Sequence, residues 1–203
     1  VSSWALFIGK PSDLGYDDTG YALPPLDVRT HIVRGRYGED ADRDGQFKLM
    51  HDAAVSLAEA SREKRESIDE RVAVAKEIVD SDPEAHFILW HDLEAERHAI
   101  CKALPDTVDI YGSMDYAERE KRVIDFSEGR CRLFATKKSL SGSGCNFQRH
   151  CHRAIFVGID YEFNDFIQAV HRIYRFLQTE QVVIDIIYTA AEDPIYRVLM
   201  EKW

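Results

Sequence analysis

Short apolar runs alternate with amphipathic stretches in the part of the chain that follows Asp82-Pro83. The runs are rich in Val, Ile, Leu and Phe, as buried strands are, and they lie at 86–90, 108–111, 132–135, 154–158 and 182–188. Between most of them apolar residues recur at helical spacing, at 93–103, 116–127 and 164–177. This alternation predicts βαβ units and an α/β fold around a mostly parallel sheet.

The first part of the chain has a different pattern. Residues 10–26 are rich in Pro, Gly and Asp and are typical of a surface loop, and a strand is predicted at 28–33. An acidic, Gly-containing stretch at 35–45 indicates a turn. From 46 to 79 apolar residues recur at helical spacing around a charged segment, SREKRES at 61–67. We expect two helices, or one long helix, with the charged segment as an exposed, solvated face.

Length and composition fit one soluble α/β domain. The 203 residues suffice for a full core, and 45% hydrophobic with 31% charged residues excludes a wholly disordered chain. No apolar stretch approaches the roughly 20 residues of a membrane span, so no membrane partner is expected. The opening VSSWALFIG lacks the features of a signal sequence, and Val1 in place of Met leads us to expect a piece of a longer protein. Four irregularly spaced cysteines then favour free thiols in the cytoplasm.

The net charge and the local distribution of charge point in different directions on nucleic-acid binding. A formal net charge of -10 argues against nucleic acid, whose binding rests on clustered Lys and Arg. However, residues 129–159 contain six basic side chains and no acidic one: Arg130, Arg132, Lys137, Lys138, Arg149 and Arg153. This window predicts a basic patch on an acidic body.

Two segments that follow predicted strands are candidates for ligand contact, because open α/β sheets bind ligands at the carboxyl ends of their strands. The first is TKKSLSGSGCNFQ at 136–148, in which Gly142 and Gly144 allow close backbone approach. Its side-chain donors are Lys137, Ser139 and Asn146. Such a loop fits phosphate or ribose contact, although an ordinary connecting loop has the same composition.

The second segment is a helix predicted to begin near Asn164, an acceptable N-cap. Spacings of three and four place Gln168, Arg172 and Arg175 on or near one face of this helix. Paired guanidinium groups in this position fit the oxygens of a transferring phosphoryl group, as an arginine finger does. The same spacing fits a solvated basic face that pairs with acids.

These two segments resemble a known family. GSGCNFQ at 142–148 and FVGIDYEFNDFIQAVHRIYRFLQ at 156–178 resemble motifs V and VI of superfamily-2 helicases, in the QAxxRxxRxxQ form of Swi/Snf-type remodellers and phage helicases. FILWHDLEAE at 87–96 is similar to motif IV, and IYGSMDYAEREKRVIDF at 110–126 is similar to the YGS segment that follows it. The Leu-Gly-Tyr and Leu-Pro-Pro pieces within 14–25 resemble the linker after the first motor domain in phage relatives.

The chain departs from the family pattern at two positions. Leu177 stands where the family usually has Gly, and His171 stands where Gly, Asp, Ser or Arg is common. Both departures leave the two arginines in place and put the local packing of the predicted helix in question.

The resemblance implies a RecA-like, P-loop NTPase-type three-layer sandwich with a mostly parallel central sheet and an N-terminal helical extension. It also implies three segments: 1–45 as linker and first strand from the preceding motor domain, 46–82 as the helical extension, and 83–203 as the helicase C-terminal domain.

The implied function is that of the C-terminal motor domain of an ATP-dependent DNA helicase or translocase in the cytoplasm of a bacterial or phage-infected cell. ATP and Mg²⁺ are expected to bind mainly to the N-terminal RecA-like domain of the same polypeptide, and DNA is the expected partner. The resemblance gives the catalytic role to Arg172 and Arg175. It implies ATP contacts at Gln168, Gly142, Gly144 and Asp160, and nucleic-acid contacts at Ser113, Thr136, Lys137, Lys138, Ser139 and Asn146.

Two alternatives stay open. One is a double-stranded DNA translocase of remodelling or restriction type that does not separate strands. The other is a non-catalytic nucleic-acid-binding module whose motor motifs are vestigial. A Walker A loop is absent, since the single GK pair, Gly9-Lys10, lacks the upstream glycine, and Asp69-Glu70 lies in a helical pattern rather than at a strand end. The chain alone is therefore not expected to hydrolyse ATP.

Metal binding by the chain is not expected. His91, Glu94 and His98 are spaced to share a helical face, but the zincin motif requires adjacent His and Glu. The histidines and cysteines between 145 and 152 match no common zinc spacing.

Overall fold

A computed structural model describes residues 10–19, 21–34, 62–140 and 145–203. Its six strands are β1 (Leu26–Val33), β2 (His86–His91), β3 (Thr107–Asp109), β4 (Leu133–Lys137), β5 (Cys151–Phe156) and β6 (Val182–Thr189). They form one parallel sheet in the order β1-β6-β5-β2-β4-β3. The α-helices are α1 (Ile68–Asp80), α2 (Glu94–Ala103), α3 (Tyr116–Ser127), α4 (Phe163–Val170) and α5 (Asp193–Lys202). The predicted parallel α/β fold is confirmed.

Helices cover both faces of the sheet. Side chains of β6 alternate between the two faces, so that Ile184 and Ile186 belong to one buried cluster and Ile187 belongs to the other. The first cluster takes its helical side chains from α3, α4 and α5, and the second takes them from α1 and α2. The result is the three-layer α/β/α sandwich that the resemblance implies.

The segments before residue 83 share the sheet and core of the later elements. β1 pairs along its whole length with β6, from Leu26 opposite Val182 to Val33 opposite Thr189. Ala75 and Val79 of α1 are fully buried in the second cluster. The division at residues 45 and 82 stays a prediction, and the stretches 1–9 and 35–61 lie outside the described residues.

The charged segment 61–67 is not the fully solvated face that the sequence predicts. Residues 62–66 are helical, as expected, but Lys64 and Ser67 are buried. Ser67 donates its hydroxyl to the carbonyl of Glu63 at 2.7 Å and accepts from Nε of Arg71 at 2.8 Å. The interpretation was wrong for these two residues because helical periodicity does not reveal buried polar partners elsewhere in the chain.

Helix α4 is shorter than predicted, since it begins at Phe163 and ends at Val170. The helix does not continue to 177 as predicted. Backbone carbonyls after Val170 accept hydrogen bonds from Phe147 and from the side chain of Gln178 instead of from the next helical turn. The carbonyl of Arg172 accepts from the backbone N–H of Phe147 at 3.1 Å, and that of Ile173 accepts from the side chain of Gln178 at 3.1 Å. Arg172 and Arg175 therefore lie in turns, and the helical face proposed for them does not exist.

A buried ion pair ties α1 to the carboxyl ends of two strands. The side chain of Arg71 is fully buried and pairs with Glu192, which lies in a short 3-10 helix (Ala190–Glu192) after β6. Its guanidinium also donates to the carbonyls of Val157, at 3.2 Å, and Ile187, at 3.3 Å. The same Glu192 carboxylate accepts from the backbone N–H of Thr189 at 2.8 Å. One guanidinium thus connects α1, β5, β6 and the start of α5.

Among the residues that the structure describes, none of the helices has the length and apolar character that crossing a membrane requires.

Replacing Arg71 should test this connection. Arg71→Met leaves the buried carboxylate of Glu192 and two strand carbonyls without their donor, so we expect the free energy of unfolding to fall by about 3–5 kcal/mol. The matched control is Lys76→Met on the same helix, where the exposed pair with Asp80 contributes less than about 1 kcal/mol. Urea denaturation of the two variants measures both values. Equal losses of unfolding free energy in the two variants would show that the buried Arg71–Glu192 pair stabilises the fold no more than the exposed Lys76–Asp80 pair.

Candidate functional site

Charged side chains follow the three adjacent central strands at their carboxyl ends. Asp92 follows β2, Lys138 follows β4, and Asp160 lies four residues after β5. In a parallel sheet these ends share one edge, which is where open α/β sheets bind ligands. Lys64, from the helical residues before α1, reaches the same place. We call Lys64, Asp92, Lys138 and Asp160 the four-charge cluster.

The four-charge cluster is a closed set of ion pairs. Nζ of Lys138 lies 2.8 Å from an oxygen of Asp92 and 2.8 Å from an oxygen of Asp160. Nζ of Lys64 lies 2.5 Å from the other oxygen of Asp92 and donates to the carbonyl of Ile159 at 2.9 Å. The Lys138 side chain is only 4% exposed. The carboxylates of Asp92 and Asp160, which follow β2 and β5, are therefore both paired with lysine ammonium groups.

Protonation in the cluster follows from these pairs. Burial alone would raise the pKa of Asp92, but the ammonium groups of Lys138 and Lys64 outweigh it and hold that pKa below its ordinary value. Burial alone would lower the pKa of Lys138, whereas Asp92 and Asp160 raise it above its ordinary value. Asp92 and Lys138 are therefore both charged at neutral pH, and their attraction holds the cluster together.

Gly158 leaves the room that Lys64 needs. A Cβ on Gly158 would lie 2.7 Å from Cε of Lys64 and 2.9 Å from a carboxylate oxygen of Glu96. Glu96 is itself fully buried and accepts from the backbone N–H groups of Asp92 and Leu93 at 2.8 and 2.9 Å. A side chain at position 158 would displace the ends of Lys64 and Glu96, which approach from two helical segments.

The residues predicted to contact nucleic acid differ in accessibility. Ser113, after β3, and Ser139, after β4, are exposed, and these two strands are neighbours at one end of the sheet. Lys137 is partly exposed and pairs with Glu94 at 2.8 Å. Thr136 is fully buried, and Lys138 is enclosed in the four-charge cluster. A phosphate contact by Lys138 would require this cluster to open.

Residues 129–159 contain no acidic side chain in sequence, but acids from other segments lie close to them in the structure. These acids reach four of the six cations of the window, which are Arg130, Lys137, Lys138 and Arg153. A fifth, Arg132, donates to the carbonyls of Asp82 and Ala85. The predicted basic patch is therefore corrected, because most of these cations stabilise the fold locally.

The structure brings the loop before β5 and the turns after α4 together. The guanidinium of Arg175 donates to the side-chain oxygen of Asn146. The backbone contact between Phe147 and Arg172 lies beside it. Gln168 is exposed on α4. Residues 141–144, with the predicted contacts Gly142 and Gly144, lie outside the described residues.

The turns after α4 contain a buried glutamine, Gln178, and a leucine with a left-handed backbone conformation, Leu177. Gln178 is buried and makes four hydrogen bonds: its amide group donates to the carbonyls of Cys151 and Ile173, and its oxygen accepts from the backbone N–H groups of Thr179 and Glu180. This glutamine thus has a structural role. Leu177 has φ 67°, the left-handed conformation that favours glycine. Leu177 stands where the family usually has Gly, and a glycine would adopt this backbone conformation without strain.

The partly exposed arginines of the turns after α4, Arg172 and Arg175, fit the oxygens of a phosphate chain, since guanidinium groups donate two parallel hydrogen bonds to such anions. They do not fit a magnesium ion, and Asp92 and Asp160 are occupied by lysines. Within the part of the chain that the structure covers, no three His, Cys, Asp or Glu side chains are placed to hold a metal ion. His91 lies in β2 rather than on a helix with Glu94 and His98, which corrects the shared face that their spacing indicated.

Sequence reasoning missed Lys64, Asp92, Arg71 and Gly158. Asp92 had a usable signal, because it directly follows a predicted buried strand. Lys64 and Arg71 had none, since their helical segment carries many other charges that are exposed.

Comparisons with solved structures identify the fold. The C-terminal part of the Fun30 ATPase domain matches with a TM-score of 0.54 and 19% identity, over 64% of this chain and 44% of that one. The second domain of the DEAD-box helicase Mss116p, bound to an RNA duplex, matches with a TM-score of 0.57 and 16% identity, over 68% and 56%. The C-terminal domain of the DEAD-box protein Dbp5 matches with a TM-score of 0.58 and 15% identity, over 66% and 78%.

The chain has the fold of a helicase C-terminal RecA-like domain. It spans about half the length of the first two structures, 44% and 56%. No protein-family model matches the sequence, and no curated protein matches it.

Leu177→Gly should stabilise the protein. A non-glycine residue in the left-handed region costs about 1–2 kcal/mol, and the added freedom of glycine in the unfolded chain returns about 0.4–1 kcal/mol of that. We expect a net gain of about 0.5–1 kcal/mol, seen as a Tm rise of about 1–4 °C in a thermal melt. Leu177→Ala keeps the strained φ and should give no gain. A lower Tm for the glycine variant would mean that the Leu177 side chain contributes more than its backbone costs.

Asp92→Asn should destabilise the protein in a pH-dependent way. At neutral pH the loss of the central carboxylate should lower the free energy of unfolding by about 3–5 kcal/mol, since two lysines then lack it. Because the folded-state pKa of Asp92 is depressed, its contribution is complete above the unfolded pKa of about 3.9 and is lost as pH falls through the folded value. Urea titrations between about pH 3 and about pH 7 should show the gap to the parent narrowing at the acidic end.

The control for this variant is Asp80→Asn, which removes an exposed partner of Lys76 and should change stability little at any pH. A gap that stays constant to the lowest pH would contradict the assigned role of Asp92.

Proposed function

We propose that this chain is the C-terminal motor domain of an ATP-dependent DNA helicase or translocase. The observation that carries the proposal is the contact of Arg175 with Asn146 near the amino end of β5 in a RecA-like sheet. It joins the two segments that resemble motifs V and VI, and the arginines of the second segment, Arg172 and Arg175, are partly exposed. The backbone of the turns after α4 is held by the buried Gln178, so the two arginines are not needed to stabilise it.

In the proposed reaction ATP binds, with Mg²⁺, to the P-loop of an N-terminal RecA-like domain in the same polypeptide. Arg175 and Arg172 then approach the γ-phosphoryl group when the two domains close. Their charges stabilise the transition state, in which negative charge spreads over the oxygens of the transferring group. Gln168 helps to position the nucleotide from the exposed face of α4.

DNA is the proposed polymer, and it would follow the carboxyl ends of β3 and β4. Ser113, Ser139 and Lys137 are accessible there, whereas Thr136 and Lys138 support the loop from inside. Asn146 comes from the same connection and reaches the catalytic arginine. A shift of this loop on DNA binding would therefore move Arg175. This gives a physical route by which DNA stimulates ATP hydrolysis.

Arg175→Ala in the full-length protein should lower DNA-stimulated ATP turnover at least about 10²-fold, conservatively below the usual effect of losing an arginine finger. ATP affinity should change only a few-fold, because the ground-state nucleotide is held mainly by the other domain. Arg175→Lys should restore little, since an ammonium lacks the planar two-pronged donor geometry. Steady-state kinetics beside an equilibrium nucleotide titration measure these effects.

Arg197→Ala is the matched control, because Arg197 is a highly exposed arginine on α5 that pairs only along its own helix in the contacts described. It should leave turnover unchanged. A folded Arg175→Ala protein with near-normal turnover would contradict the catalytic role and favour a non-catalytic nucleic-acid-binding module.

A further inference from the structure

Two aromatic side chains stack on the surface beside Arg175. The rings of Tyr21 and Phe176 have centroids 6.0 Å apart and planes inclined by 18°. Tyr21 is 54% exposed and Phe176 is 42% exposed, so the pair presents ring surface to solvent. The guanidinium carbon of Arg175 lies 5.3 Å from the centroid of Phe176. A cation, one ring and a second ring are thus arranged in sequence.

Hydrogen bonds tie the chain down on both sides of Tyr21. The backbone N–H of Tyr21 donates to the carbonyl of Asp18 at 2.9 Å, and the carboxylate of Asp18 accepts from the backbone N–H of Ser12 at 2.8 Å. At its other end, the carbonyl of Pro25 accepts from Val182 at the start of β6. The exposed ring of Tyr21 is therefore held against the turn after α4 by local hydrogen bonds and by the sheet.

We infer that Tyr21 and Phe176 form a stacking surface for the purine base of the nucleotide whose phosphates Arg175 and Arg172 engage. The inference rests on the proposed function and adds a base-binding site to it. The base and the terminal phosphate of a nucleoside triphosphate are separated by the ribose and the inner phosphates, so they need contacts that are spaced apart. The exposed rings and the guanidinium provide such a pair of contacts, one planar and one cationic.

Charge favours a single nucleotide over a nucleic-acid strand at this surface. The segment from residue 10 to residue 25 contains Asp13, Asp17 and Asp18 and a single basic residue, Lys10. A strand of DNA laid across it would bring a row of phosphates against these carboxylates. One nucleotide can place its phosphates at the arginines and only its uncharged base on the rings.

Tyr21→Ala in the full-length protein tests the inference. Stacking of one base on an aromatic side chain is worth at least about fivefold in affinity, so KM for ATP should rise by about that factor or more while kcat stays within about twofold. Tyr21→Phe should retain the parent KM, because the ring is kept. The ratio of KM for CTP to KM for ATP should fall in Tyr21→Ala, since a purine offers more stacking surface. Phe176 is a less clean target because it also contacts Arg175.

Tyr116→Ala is the matched control, since Tyr116 is a 75% exposed tyrosine on α3 and should have no effect on either constant. An unchanged KM in Tyr21→Ala overturns the inference. Weaker binding of single-stranded DNA with an unchanged KM also overturns it, in favour of a base of the polymer. A fall in kcat alone overturns it in favour of a contact with the other motor domain.

The two proposals fail in distinguishable ways. If Arg175→Ala loses turnover while Tyr21→Ala keeps its KM, only the base site is wrong. If Tyr21→Ala raises KM while Arg175→Ala turns over normally, the base site stands and the catalytic assignment is wrong. Thermal melts of all variants establish that they are folded.

Discussion

Parallel strands that end at the same edge leave carbonyl groups without a further strand partner, and in this protein a buried guanidinium satisfies two of them. Arg71 reaches from α1 to the ends of β5 and β6 and is neutralised by Glu192. Taking both charges out of water is costly, so the arrangement is favourable only because each group is also hydrogen-bonded. This pair connects the turns after β5 and β6 to α1.

The four-charge cluster extends the same solution to β2, β4 and β5. Its lysines connect the carboxylates after the strands, and they are thereby withdrawn from direct contact with a ligand. The more accessible arginines, Arg172 and Arg175, lie instead on the turns after α4, where the backbone is shaped by Gln178 and by the contact of Phe147 with Arg172. Buried charges and accessible charges are thus kept on separate segments.

Periodicity predicted the sheet and most of the helices because burial repeats along the sequence. α3 was predicted at its observed bounds, and β1 to β6 were each found within a few residues. The end of α4 and the burial of Lys64 were not predictable in this way. The first depends on hydrogen bonds from Phe147 and Gln178, and the second on Asp92, which is 28 residues from Lys64. For the candidate site, motif resemblance selected segments that do meet in space, but it could not separate the accessible Lys137 from the enclosed Lys138.

The pairing of β1 with β6 has a consequence for how the protein is made. Every paired position is 156 residues from its partner, from 26 with 182 to 33 with 189. During synthesis the first strand leaves the ribosome long before the strand that completes it, and contacts this distant in sequence form slowly. In the interval β1 is an unpaired strand, which is a hazard for association with other chains. Asp27 and Arg29, alternating with its apolar residues, give the waiting strand charged side chains that oppose such association.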